Sequence, residues 1–198
     1  MARELELKAV VPDPAALRRR LLAAGAAPLF AGPMTDRRYD RAAELTTRDE
    51  VLRLRTFGRA GGPAAVLGWK GPARTTPGGY KQREEIELPL APGGGAPEAL
   101  LAALGYEVVH TMDRWVEMFG LNGTVLRLEG YPLMDDLLEV EGEPAAMERA
   151  IAASGIARAE FTADSLREFV RRFEFRTGRT ARLAAGQDGL PPPAWAAS

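Results

Sequence analysis

Apolar and charged residues alternate with period two in four short stretches: Glu4-Leu5-Glu6-Leu7-Lys8, Leu52-Arg53-Leu54-Arg55, Arg83-Glu84-Glu85-Ile86-Glu87 and Glu139-Val140-Glu141. Period-two alternation marks a strand with two unlike faces. Here the polar face carries Glu, Arg and Lys rather than Ser, Thr or Gln. The pattern predicts strands over residues 3–11, 34–40, 50–57, 64–70, 80–90, 107–119, 124–130 and 136–142. Helices are predicted where a proline opens an apolar-periodic run and a glycine closes it. Asp13-Pro14 starts one that stops at Gly25, Pro97 one that stops at Gly105, and Pro144 one that ends near Gly155. Residues 162–174 read as a last amphipathic helix. Arg59-Ala60-Gly61-Gly62-Pro63 reads as a turn and residues 91–96 as a flexible connector.

Three times a Glu-x-Glu strand is followed by a proline-started helix: Glu4/Glu6, Glu85/Glu87 and Glu139/Glu141. The spacings differ, so this is no solenoid. It is one recurring geometry, a strand exposing two carboxylates with a helix packed outside.

Strand parity collects Glu4, Glu6, Glu85, Glu87, Glu129, Glu139 and Glu141 on one face, together with Lys8, Arg53, Arg55, Lys70, Arg83, Arg114 and Arg127. The other face carries Leu5, Leu7, Leu52, Leu54, Trp69, Ile86, Leu88, Leu126, Leu128, Leu138 and Val140. One strand of this kind is the wet side of an open sheet. So many in one chain favour a sheet that curls and closes, with helices over the apolar exterior and the charges inside. An interior of fixed charges is costly unless they pair, bind ions or stay wet. A ligand is therefore expected. Arg and Lys suit phosphate oxygens. Glu-x-Glu pairs with no Cys or His beside them suit Mg²⁺ or Mn²⁺ rather than zinc.

Bulk composition narrows the classes without naming one. A chain of 198 residues is long enough for one domain with a proper core. A net charge of −1 gives no reason to expect a nucleic-acid or membrane partner. With no cysteine, disulfides and thiolate metal sites are excluded. No segment approaches the roughly 18 apolar residues of a membrane span and no signal core opens the chain, so a cytoplasmic location is expected. Only three of 26 basic residues are lysine, namely Lys8, Lys70 and Lys81, and all three lie in the strands predicted above. The stretch after about residue 178 is rich in Ala, Gly and Pro and is expected to be a disordered tail.

Six segments in order resemble the CYTH family, also called triphosphate tunnel metalloenzymes. Glu4-Leu5-Glu6-Leu7-Lys8 is similar to its Glu-x-Glu-x-Lys opening, and Asp36-Arg37-Arg38-Tyr39-Asp40 to its Asp-x-x-Tyr-(Phe/Tyr)-Asp strand, one position short. Leu52-Arg53-Leu54-Arg55 resembles the Arg-x-Arg strand, Gly68-Trp69-Lys70-Gly71-Pro72 the strand ending in Lys-Gly-Pro, and Arg83-Glu84-Glu85-Ile86-Glu87 the Arg-x-Glu-x-Glu strand. Glu129 and Glu139-Val140-Glu141 resemble the late acidic residue and terminal Glu-x-Glu. The resemblance covers roughly residues 1–175 and implies an α+β fold, a closed eight-stranded antiparallel β-barrel with helices outside. It places the domain at residues 1–177 and leaves 178–198 as the tail.

By resemblance, Lys8, Arg53, Arg55, Lys70, Arg83 and Arg114 would grip a triphosphate. Glu4, Glu6, Glu139 and Glu141 would hold Mg²⁺ or Mn²⁺. Lys8, Glu85, Glu87 and Glu129 would serve the chemistry. The implied activity is metal-dependent hydrolysis of inorganic triphosphate or a small organic triphosphate such as thiamine triphosphate. The alternatives are a class IV adenylate cyclase and a non-catalytic polyphosphate-binding module. Expected partners are a small triphosphate, without nucleic acid or membrane, on a monomer or homodimer. The chain departs from the family pattern at Met112, where a lysine is usual, and at Glu129, where aspartate is usual. The Tyr131–Asp136 stretch departs as well.

Four other features read more plainly. His110 is expected at a strand end, Trp69 in the core, and Arg18-Arg19-Arg20 on a solvated helix face. Tyr39 could either touch a nucleoside or pack.

Overall fold

The computed structural model describes residues 2–58, 64–91, 96–186 and 189–197. The predicted turn at 59–63 lies outside them, as does most of the connector at 91–96. Strand β1 (Ala2–Val10) is followed by α1 (Pro14–Ala23), β2 (Ala27–Asp40), the short α2 (Glu44–Thr47), β3 (Val51–Phe57), β4 (Ala64–Lys70), the two-residue β5 (Arg74–Thr75) and β6 (Lys81–Leu90). Then come α3 (Pro97–Ala103), β7 (Glu107–Leu121), β8 (Thr124–Gly130), β9 (Leu137–Glu141), α4 (Pro144–Ser154) and α5 (Leu166–Thr177).

The strands run in the order β1-β9-β8-β7-β2-β3-β4-β6, and β1 pairs back with β6, so the sheet closes. Every pairing is antiparallel. The closure with charges inside is what the alternation predicted, and the eight-stranded α+β barrel is what the resemblance implied. Closure removes the free edges that an open sheet of this width would leave. β5 continues the line of β4 along β6, pairing Arg74 with Gln82.

Local rules set the helices. Asp13 accepts from the Ala16 amide at 2.9 Å with Pro14 behind it, a capped and pre-formed first turn. α4 ends at Gly155, φ +72°, where a Cβ would lie 2.7 Å from the Arg20 guanidinium. Any other residue there would need both a left-handed backbone and a displaced α1 side chain. α1 and α4 deliver Leu17, Leu21, Met147, Ala150 and Ile151 onto Leu7, Leu126, Leu128, Leu138 and Val140, forming the main core. A smaller cluster, Tyr39, Leu54 and Leu101, lies under α3.

Several expectations are corrected. β2 begins at Ala27 rather than 34, because its first half pairs with β7 from Gly120 back to Trp115. The last helix starts at Leu166 with Ser165 as its cap and runs to Thr177. Ile86 and Leu88 stay 48% and 57% exposed, since no helix among the described residues covers that part of β6. Trp69 is half-buried on the barrel exterior, its indole N–H 3.4 Å from Glu50, rather than part of either cluster. Tyr39 is a packing residue of the smaller cluster whose edge also reaches the mouth described below. Arg18 leaves the helix face to donate to the buried Glu117 carboxylate at 2.8 Å.

Among the described residues after 178, packing is found where disorder was expected. Arg182 pairs with Leu133, Leu183 O accepts from the Asp113 amide, and the Asp113 side chain accepts from Ala185 N–H. Trp195 is buried in the main core beside Gly130, where a Cβ would come within 2.9 Å of its ring. The composition misled because one large aromatic ring docking on a glycine can fix an otherwise small-residue segment. No helix among the described residues is long and apolar enough to cross a membrane.

Candidate active site

Because side chains alternate, each pairing fixes which charges meet inside. Glu6 lies opposite Glu141 and Lys8 opposite Glu139 between β1 and β9. Arg127 on β8 faces Glu139. On the far side Asp36 faces Arg55, Arg38 faces Arg53, and Lys70 faces Glu85. Gly68 occupies the inward position between Arg53 and Glu87. With no side chain there, the Arg53 guanidinium reaches across to Glu87 at 3.4 Å.

The interior is a tunnel of two chambers. The wider, of about 740 Å³, is lined by Glu6, Lys8, Arg83, Arg114, Glu129 and Glu139 among others. The narrower, of about 210 Å³, holds Glu4, Glu85, Glu87 and Glu141 and ends in Phe57, Val66, Met118 and Val125. Arg53, Arg55, Lys70 and Arg127 line both. Every charged residue that strand parity placed on the inner face thus lines one of the two chambers.

Carboxylate oxygens of Glu4, Glu6 and Glu141 lie within 4.8 Å of one another. Glu139, expected with them, is instead enclosed by Lys8 and Arg127. Although burial alone would raise it, Lys8 and then Arg127 hold the Glu139 carboxyl well below its usual range. Glu141 behaves oppositely. Burial pushes it well above the ordinary carboxylate range, Arg127 only partly offsets this, and Glu139 adds to the rise. A buried carboxyl whose one cation, Arg127, does not offset its burial, beside two more carboxylates, fits a divalent cation with oxygen ligands.

Lys70 sits between Glu4 and Glu85, at 2.5 and 3.0 Å. Against the effect of burial, Lys70 holds Glu4 down at about 2. Burial and the hydrogen bond that its protonated carboxyl donates to Glu4 lift Glu85 to about 7. Two neighbouring acids are thereby set to opposite states near neutral pH, one ionised and one poised to exchange a proton.

Four contributors to this bore were not assigned roles from the sequence. Asp36, 1% exposed, accepts both nitrogens of Arg55 at 2.8 and 3.0 Å and Arg114 at 3.0 Å. Lys81 reaches Glu6, and Arg127 spans Glu139 and Glu141. Arg38 lines the wide chamber. The signal for all four was the same parity that gave the others. Arg114 also binds Glu129 at 2.9 Å and points Nη1 at the Met112 sulfur, 2.7 Å away. The thioether is thus a soft acceptor inside a ring of ions. Tyr131 donates to Glu129 at 2.6 Å, which orients the carboxylate from its other side.

The wide chamber opens past α5, where Ser165, Leu166, Arg167 and Val170 form its rim with Leu183 of the C-terminal segment. His110, the fourth residue of β7 rather than its end, is exposed at this mouth, and partial burial with the neighbouring Arg38 lowers its pKa.

No family model and no curated protein sequence matches the chain. Among solved structures, PH1819 protein from Pyrococcus horikoshii OT3 superposes with TM-score 0.69 at 21% identity, over 85% of this chain and 98% of that one. A candidate adenylate cyclase from Vibrio parahaemolyticus gives 0.68 at 20%, over 85% and 97%. HpAC1 from Hippeastrum, a candidate adenylyl cyclase described as having a dominant triphosphatase activity, gives 0.59 at 17%, over 94% and 100%. Likeness at this identity establishes the fold, and it is the fold that the motif resemblance implied.

Proposed function

We propose that the chain is a CYTH-type enzyme that hydrolyses a short triphosphate inside the barrel. The reading rests on one observation. The carboxylate trio Glu4, Glu6 and Glu141 and the cations Lys8, Arg53, Arg55, Lys70, Arg83 and Arg114 line a single continuous bore. Cations for phosphate beside acids for a hard metal are what a polyphosphate bound with its counter-ion requires. Of two fold neighbours, one is named a candidate adenylate cyclase and the other is described with a dominant triphosphatase activity, so their names support enzymes of this fold without choosing between the two activities for this chain.

Glu4, Glu6 and Glu141 would hold Mg²⁺ or Mn²⁺, which when bound supplies charge neutralisation and polarises phosphate oxygens. The protein's own groups do the rest. Arg53, Arg55 and Lys70, at the junction of the chambers, fix the phosphate chain. Lys8 and Arg114 hold it from the opposite wall. Water attacks the terminal phosphorus, the phosphoric anhydride bond breaks, and the diphosphate leaves. Glu85, poised near neutrality beside Lys70, takes the proton released by the water. Glu129 holds Arg114 in position, and Glu139 does the same for Lys8 and Arg127.

The deciding experiment offers ATP and inorganic triphosphate separately with Mg²⁺ or Mn²⁺ and scores inorganic phosphate against cyclic AMP. Phosphate as the main product from triphosphate supports the reading. Cyclic AMP as the main product from ATP would replace it with the cyclase. Tight triphosphate binding without turnover would leave a binding module, a reading that the dense internal ion pairing of Arg114 and Arg127 makes worth testing.

A further inference from the structure

The cations of the bore are not equivalent in the ligand-free protein. Arg53 is shared among Asp36, Glu85 and Glu87, Arg55 is held by Asp36, and Arg114 by Asp36 and Glu129. Lys8, Lys70, Lys81, Arg83 and Arg127 likewise each contact a carboxylate. Among the described residues, Arg38, and Arg167 at the rim, are the bore-lining arginines without an ion pair, and of these two it is Arg38 whose buried Nε has no hydrogen-bond partner. It projects from β2 into the wide chamber, with Arg53 and His110 beside it on the adjoining strands. Burial lowers its pKa, Asp36 opposes that fall, and the positive Arg114 and Arg83 add to it. A guanidinium partly removed from water, crowded by its own sign and lacking an acceptor, is unfavourable unless an anion completes the site.

We propose that Arg38 is the landing point for the outermost phosphoryl group of the substrate, on the mouth side of the six cations assigned above. This rests on the triphosphate reading and extends it to the substrate's orientation. The phosphate chain enters through the wide chamber, its outer end stops at Arg38, and its inner end lies toward Lys70 and the Glu4, Glu6 and Glu141 trio. The other cations must exchange a carboxylate for a phosphate when the ligand arrives, whereas Arg38 gains a partner without giving one up. Its contribution therefore falls on affinity. Because Arg38 lines only the wide chamber, it acts on anions long enough to extend from the junction toward the mouth.

The test is calorimetry of the full chain with inorganic triphosphate, pyrophosphate and phosphate, in Mg²⁺ and in its absence, for wild type, Arg38→Gln and Arg38→Lys. Thermal melting confirms that each variant folds. Arg38→Gln is expected to raise the Kd for triphosphate on the order of tenfold and that for phosphate much less, with Arg38→Lys intermediate because a point charge replaces a fork. In turnover the loss should appear in KM more than in kcat. An unchanged triphosphate Kd in Arg38→Gln overturns the proposal, and so does equal weakening for all three anions in a variant that melts like wild type. Wild type that binds triphosphate without hydrolysing it sinks the hydrolase reading alone and leaves the Arg38 comparison decisive. Wild type that binds no triphosphate sinks both.

Discussion

The two sides of the barrel wall are built differently. β1, β9 and β8 lie under α1, α4 and the Trp195 segment, with Leu126, Leu128, Leu138 and Val140 all fully buried. Among the described residues, β3, β4 and β6 have the short α2, α3 and the cluster of Tyr39, Leu54 and Leu101 behind them, and Ile86 and Leu88 face solvent. The inner faces differ in the same sense. The thick side carries Glu4, Glu6, Glu129, Glu139 and Glu141 against two cations, Lys8 and Arg127, and the thin side carries Arg53, Arg55, Lys70, Lys81 and Arg83 against two acids, Glu85 and Glu87. Short carboxylate arms that must converge on one ion tolerate little backbone movement. Long guanidinium and ammonium arms can absorb it. Packing is concentrated where the proposed chemistry needs a rigid scaffold.

The largest test of this contrast is a pair of matched truncations. Leu128→Ala, at a site fully enclosed by helices and strands, should cost about 3–4 kcal/mol, because the surrounding wall cannot collapse into the cavity. Leu54→Ala, under the thinner cladding, should cost about 2 kcal/mol. Urea unfolding of both variants measures the difference. Equal losses would mean that the two walls are equally well packed and that the contrast is only one of helix count.

Function should divide along the same line. Glu6→Gln removes one member of the carboxylate trio and Lys70→Ala one member of the junction grip. Each should lower turnover of triphosphate at least about 10²-fold, or about 2.7 kcal/mol. Excess Mn²⁺ should recover part of the Glu6→Gln loss and none of the Lys70→Ala loss. Near-normal rates in both variants would remove the bore from the chemistry.

The sequence disclosed the inside of this molecule better than its outside. Inward positions are fixed by period two, so Glu4, Glu6, Arg53, Arg55, Lys70 and Glu141 could be placed on one face from spacing alone. Which inward charges neutralise one another depends on register, which spacing does not reveal. Glu139 was therefore grouped with the metal set although Lys8 and Arg127 enclose it. Asp36 was quoted only as part of a motif, although it organises Arg55 and Arg114. The outside obeys no such period. Whether Ile86 is covered, or whether Trp195 docks, depends on long-range packing that an Ala/Gly/Pro-rich composition conceals.

The docked tail supplies a smaller, pH-dependent test of the thick side. Asp136 lies against the Trp195 indole, and burial lifts its carboxyl from 3.8 to about 6, with the indole hydrogen bond acting the other way. An acid raised in the folded state favours folding in its neutral form. That contribution is complete below pH 3.8 and is lost as pH climbs through about 6. Asp136→Asn keeps a neutral side chain throughout. Its Tm should therefore gain on wild type between those two values and by no more above them. In a Trp195→Ala background, where the indole no longer covers the site, the same comparison should flatten. A gap that is constant across the range would show that Asp136 titrates as an ordinary exposed carboxyl.

The smallest effect should come from the bare part of the thin side. Ile86 is 48% exposed and points away from the bore, opposite Trp69 on β4. Ile86→Thr keeps the β-branch that suits a strand and gives up apolar surface that was already half in water. Stability should therefore stay within about 0.5 kcal/mol of wild type. Glu85 and Glu87, its inward neighbours on β6, should keep their places, so triphosphate turnover should not change. A loss of more than about 2 kcal/mol, or a fall in oligomer size on a sizing column, would mean that this face is covered in solution. The thin wall would then be half of an interface, and the asymmetry would belong to the isolated chain alone.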